Sequence, residues 1–155
     1  MLLQLERFDE VVALLTKNYE LQTDNELITK HDMYFTSYYT AIGYLRLAKV
    51  SEAMKWFQIS MQHVSETFPA KEQKFQKINY NVLKILLEHI PKTEEENLQN
   101  LQYLEVEKMI EGFLNEEGAK VRFKKMLTEL KVLLYKNWGK PKLQKEAEKR
   151  LESFD

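Results

Sequence analysis

Residues 38–60, YYTAIGYLRLAKVSEAMKWFQIS, decide how this chain folds. Tyr38, Ala41 and Leu45 recur at three and four positions, and after Ala48 the same spacing returns in Ala53, Phe57 and Ser60. Residues spaced in this way share one face of a helix. The stretch therefore reads as a helix, a tight turn and a second helix. Small residues stand where the two helices must touch, because the distance between helix axes is set by the side chains at the crossing.

Outward from this hairpin the helical period continues almost throughout. Phe8, Val11, Val12, Leu15 and Tyr19 share a face from about Phe8 to Tyr19. A helix from about Lys30 to Ala48 carries the stripe Tyr34, Tyr38, Ala41 and Leu45, with Phe35, Tyr39 and Ile42 beside it. Ser51 is a suitable N-cap for the next helix, which runs to about Thr67. Pro69 marks a break, and Phe75, Ile78, Val82, Ile85 and Leu86 lead on to Pro91. Thr93 with Glu96 reads as a capping box, after which Leu98, Leu101, Leu104 or Glu105, Met109 and Phe113 form the expected stripe. Gly118 marks a boundary, and Val121 to Trp138 is the next helix. Gly139 is placed as its C′ residue, and Pro141 in the first turn of a last helix ending near Phe154. The expectation is an all-α chain of about seven helices in a single domain, residues 1–155, with no strand and no interdomain linker.

In their order, Ala41, Tyr44, Ala53, Phe57 and Ser60 resemble the tetratricopeptide repeat, a helical hairpin that stacks at a period of about 34 residues. Val50 falls where the family often has an aromatic residue, and Ala48 where it often has a turn glycine. Arg7 to Val11 with Leu14 and Leu15 resembles the later half of another unit, and an insertion at Leu21 to Thr29 accounts for the excess spacing to Ala53. The resemblance covers about residues 5–90 and implies antiparallel hairpins stacked in a right-handed superhelix. Residues 92–155 are then atypical or capping helices, since terminal repeats depart from the consensus. With its missing first helix, the chain is expected to be the C-terminal fragment of a longer protein.

Composition restricts the function classes. Hydrophobic residues make up 44% and charged residues 30%, the balance of an ordinary globular domain. No run is apolar and long enough for a membrane span, and MLLQLERFDE does not read as a signal peptide. The absence of Cys removes thiol chemistry and agrees with a reducing, cytoplasmic setting. A net charge of −1 argues against a dedicated nucleic-acid binder. Charge is nonetheless sorted: nine Glu against two Lys from Glu88 to Gly118, then eleven Lys or Arg against three Glu from Ala119 to Arg150. Antiparallel helices of opposite sign attract and specify pairing. Lys120, Arg122, Lys124, Lys125 and Lys131 are expected to serve that pairing; the other reading makes them a patch for an acidic partner.

No residue pattern points to catalysis. His31, His63 and His89 are far apart and lack a second ligand at helical spacing, and there is neither a G-x-S-x-G nor a phosphate-cradling loop. No cofactor is expected. In the repeat family the first helix of a unit lines a groove for a peptide or partner helix. The resemblance puts Phe35, Tyr38, Ile42, Leu45 and Arg46 there; the other reading makes these residues core. On the next helix but one, Lys74, Lys77, Asn81 and Lys84 share a face whose donors suit an acidic or carboxylate-bearing peptide. The expected function is a non-catalytic scaffold for a protein or peptide, bacterial and cytoplasmic, able to pair as a homodimer. The alternative is the peptide-sensing C-terminal regulatory domain of a bacterial transcription regulator.

Overall fold

The computed structural model describes residues 8–23, 30–68, 72–116 and 118–154. Among them are seven α-helices and no strand, so the chain is all-α. The helices are α1 (Phe8–Thr23), α2 (Lys30–Arg46), α3 (Val50–Thr67), α4 (Gln73–His89), α5 (Glu96–Leu114), α6 (Val121–Trp138) and α7 (Pro141–Glu152), with one 3-10 turn, Ile90–Lys92, after α4. Arg7, Asp24 to Thr29 and Pro69, read above as a turn, an insertion and a break, lie outside the described residues. The chain divides into two compact units, Met1–Pro69 and Ala70–Asp155.

In the first unit, α2 and α3 form the hairpin expected from residues 38–60. Ala41, Ala53, Phe57 and Ser60 are all fully buried. The turn is a Schellman motif: the Lys49 N–H donates to the Tyr44 carbonyl at 2.9 Å and the Ala48 N–H to the Leu45 carbonyl at 3.0 Å. Ala48 closes it in the left-handed region, φ 59°, at the position where the repeat family often has glycine. This turn occupies Ala48 and Lys49 and delivers the chain directly into α3 at Val50. Ser51 is therefore inside the helix, and Lys49 stands at the N-cap without a side-chain capping bond, contrary to the sequence expectation.

Helix α1 packs on this hairpin. Val12, early in α1, meets Gly43, late in α2, while Tyr19, late in α1, meets Trp56 and His63 of α3. The three helices therefore run alternately up and down. The Tyr19 hydroxyl and His63 Nε2 are 2.8 Å apart, an anchor between the outer helices.

In the second unit, α5 and α6 are antiparallel. Phe113 lies against Phe123, Lys131 pairs with Glu111, and the Tyr135 hydroxyl donates to Glu107 at 2.6 Å. The Trp138 indole N–H donates to Asn100 at 3.0 Å, completing the ladder. The opposite charges of these segments thus meet at Glu111 and Lys131, as expected. Phe75 of α4 packs edge-on against Phe113 at 5.9 Å, which sets α4 antiparallel to α5. Gly139, at φ 74°, ends α6 in a left-handed cap, with the Lys140 N–H donating to the Tyr135 carbonyl, and Pro141 opens α7, both as expected.

Helix α5 departs from the sequence reading twice. Thr93 does not cap it. Its hydroxyl donates to Gln102 at 2.7 Å, and the helix starts at Glu96 behind Glu95. The expected stripe Leu98, Leu101 and Leu104 is exposed, with Leu101 63% accessible, whereas Gln102, Tyr103, Val106 and Ile110 are buried. The choice follows from what each face meets. Tyr103 stacks on Trp138 at 5.8 Å, and Gln102 tolerates burial because Thr93 hydrogen-bonds it.

Candidate functional site

Two groups of residues read separately in the sequence come together in the second unit. A cleft of about 440 Å³ opens between the first half of α4 and the start of α6. Helix α4 contributes Lys77 and Asn81, with Gln73 a turn before Lys77, and with Gln76 and Tyr80 the residues that directly precede Lys77 and Asn81. The start of α6 contributes Lys120, Arg122 and Met126. The spacing of Lys77 and Asn81 at i, i+4 puts both on one face of α4, while Phe75, Val82, Leu83 and Leu86 turn inward and fix that face outward.

The electrostatics are one-sided. Among the described residues, three cations and three amides line the cleft and no carboxylate does. Lys77, Lys120 and Arg122 make no ion pair among the described residues. Lys120 and Arg122 also sit at the positive end of α6, whose first turn has no acidic residue and whose N-cap, Lys120, supplies no side-chain acceptor. Cations at a helix N-terminus are unfavourable by a few tenths to about 1 kcal/mol each. An anion in the cleft would relieve that repulsion and accept from the amides. Tyr80 and Met126 add an apolar wall for the body of such a ligand.

The structure thus separates the basic residues. Lys131 serves pairing within the fold through Glu111, whereas Lys120 and Arg122, expected to do the same, face the cleft with no ion pair among the described residues. Lys84, also expected on this face, is exposed further along α4 and does not line the cleft. Gln73, Tyr80 and Met126 were not legible as site residues, because only the tertiary approach of α6 gives them a common space.

The aromatic face of α2 has a different character. Tyr38 is half-buried and lays its ring against the fully buried Phe57 at 5.6 Å, so it is tied to the core. Leu45, expected beside it in the groove, is buried. Phe35 and Tyr39 stack at 6.3 Å and stay exposed, Ile42 is half-buried, and Arg46 is exposed at the end of the helix. Burial, with Tyr38 and Tyr39 nearby, pushes the Tyr34 hydroxyl up to about 12 from 10.0, and Tyr38 is raised for the same first cause.

His63 is bonded to Tyr19, and the His89 Nδ1–H donates to the Ile85 carbonyl at 2.9 Å, so both serve local structure. Among the described residues no three His, Asp or Glu side chains gather as a metal site, and no helix is long and apolar enough to cross a membrane. Comparison with known proteins finds no family model, no curated protein and no solved structure that matches this chain.

Proposed function

We propose that this chain is a non-catalytic scaffold of tetratricopeptide type and that the α4–α6 cleft holds an acidic segment of a protein or peptide partner. One observation carries the reading. Among the described residues, Lys77, Lys120 and Arg122 converge unpaired in a cleft that no carboxylate lines. Uncompensated cations in a concave site attract and orient an anionic partner. The amides of Gln73 and Asn81 supply further donors, and Tyr80 gives a side-chain neighbour of the acid an apolar contact. Rigid helices position all of these groups, so the scaffold loses little freedom on binding. The repeat reading is supported by the buried small residues Ala41, Ala53 and Ser60 and by the left-handed Ala48 at the turn.

Fluorescence anisotropy with a fluorescein-labelled Gly/Ser decapeptide carrying four Glu tests this. The peptide is expected to bind, to weaken as salt rises, and to lose at least tenfold in affinity with Lys120→Gln or Arg122→Gln. The same decapeptide with Lys in place of Glu is expected not to bind. Failure of the Glu peptide to bind at low salt, or binding indifferent to both substitutions, refutes the assignment.

A further inference from the structure

We infer that the anion this cleft is built for is a phosphomonoester, the phosphorylated side chain of a peptide. The inference rests on the cleft being a site for an acidic segment and deepens it. Three cations reach the cleft from two helices, and none is neutralised by a described residue. A single carboxylate brings one negative charge and leaves most of that positive charge uncompensated. A phosphorylated serine brings about −1.5 to −2 charges near pH 7 and three acceptor oxygens, enough to engage donors from both walls at once. Arg122 supplies the planar fork that matches phosphate oxygens, with Lys77 and Lys120 as point charges beside it. The start of α6 lies at the same place and favours the same charge.

The shape of the site favours a side chain over a nucleic-acid backbone. A polynucleotide spreads one charge per phosphate along a track and needs a line of cations to follow it. Here three cations, unpaired among the described residues, are gathered in one cleft of about 440 Å³, and Lys131, further along α6, is taken up by Glu111. The apolar wall of Tyr80 and Met126 fits a residue flanking the phosphorylated one.

Three fluorescein-labelled decapeptides that differ only at the central position, phosphoserine, Glu or Ser, in one Gly/Ser/Glu background, test the inference by anisotropy. A single-stranded dT10 oligonucleotide forms the fourth arm. The phosphoserine peptide is expected to bind at least tenfold more tightly than the Glu peptide. That margin should shrink between pH 7 and pH 5, as phosphate with a second pKa of about 6 takes up a proton. Arg122→Gln should remove most of the margin. Lys120, Arg122 and Lys77 are exposed, so circular dichroism of the variants is expected to stay unchanged. Equal binding of the phosphoserine and Glu peptides, with both lost in Arg122→Gln, overturns the phosphoryl preference and leaves the acidic-segment reading standing. No binding by any peptide overturns both, and tighter binding of dT10 than of the phosphoserine peptide overturns the choice of a peptide.

Discussion

A Cβ on Gly43 would lie 2.6 Å from Cγ2 of Val12, so the absent side chain of one residue makes room for the branched side chain of the other. Val12 is 6% accessible and turns only about χ1, so it has little room to yield. Gly43→Ala gains about 1 kcal/mol in helix propensity but loses about 1–3 kcal/mol to overpacking, for a net loss of up to about 2 kcal/mol. In a Val12→Ala background the same change should stabilise. A double-mutant cycle by chemical denaturation reads the coupling, and simple additivity would mean that α1 and α2 do not meet at this pair.

The hairpin turn carries a removable strain. Ala48 holds φ 59° with its Cβ in place. The left-handed region costs a non-glycine residue about 1–2 kcal/mol, and glycine gives back about 0.4–1 kcal/mol through the freer unfolded chain. Ala48→Gly should therefore raise stability by about 0.5–1 kcal/mol, and an unchanged or lower denaturation midpoint would contradict the Schellman turn.

Two contacts between α5 and α6 differ in weight. Lys131 and Glu111 are both partly in water, their side chains 18% and 44% accessible, and Lys131→Ala should cost less than about 1 kcal/mol. Tyr135 is 5% accessible and its hydroxyl donates to the Glu107 carboxylate. Tyr135→Phe should cost about 1–2 kcal/mol, since bonds to charged groups are the stronger kind. Urea midpoints of the two variants give the order, and the reverse order would place the specificity of this helix pair in its ion pair.

Alkaline pH should weaken the first unit through Tyr34. Its hydroxyl is raised to about 12 in the folded chain, first by burial, against 10.0 when unfolded. The folded state holds the proton more tightly. The contribution is therefore complete below pH 10 and is lost as pH rises through about 12. At pH 11 the loss from this one residue is about 1.4 kcal/mol. Tyr34→Phe should retain about 1 kcal/mol more of its pH 8 stability at pH 11 than the unaltered chain, and an equal loss in both would remove Tyr34 as a source.

Legibility in the sequence divides along a physical line. Gly139 and Pro141 announce the end of α6 and the start of α7 because backbone geometry alone selects them. Ala41 and Ala53 are legible because a helix crossing tolerates few residue types. Tyr103 was hidden behind Leu98, Leu101 and Leu104, since apolar counting cannot see the ring of Trp138 on which Tyr103 stacks or the Thr93 hydroxyl that makes Gln102 fit for burial. Lys77 and Asn81 could be read as one helix face. That Lys120 and Arg122 would join them could not, because no local period links the two segments and only the packing of α4 beside α6 makes a cleft of them.

Asn79 reports on the packing of α4. It is fully buried, on the face that also carries Phe75, Val82, Leu83 and Leu86, and neither its amide oxygen nor its amide nitrogen has a hydrogen-bond partner among the described residues. A buried polar group without a partner costs about 1–3 kcal/mol relative to hydration, and an apolar group of similar shape does not incur that cost. Leucine branches at the same carbon and is only modestly larger, so part of the gain goes to repacking. Asn79→Leu should raise stability by about 1–2 kcal/mol, measured by denaturation with an unchanged m-value. A loss of more than 1 kcal/mol would show that the amide is bonded in solution and that the α4 face is set by a polar contact rather than by Phe75 and its apolar neighbours.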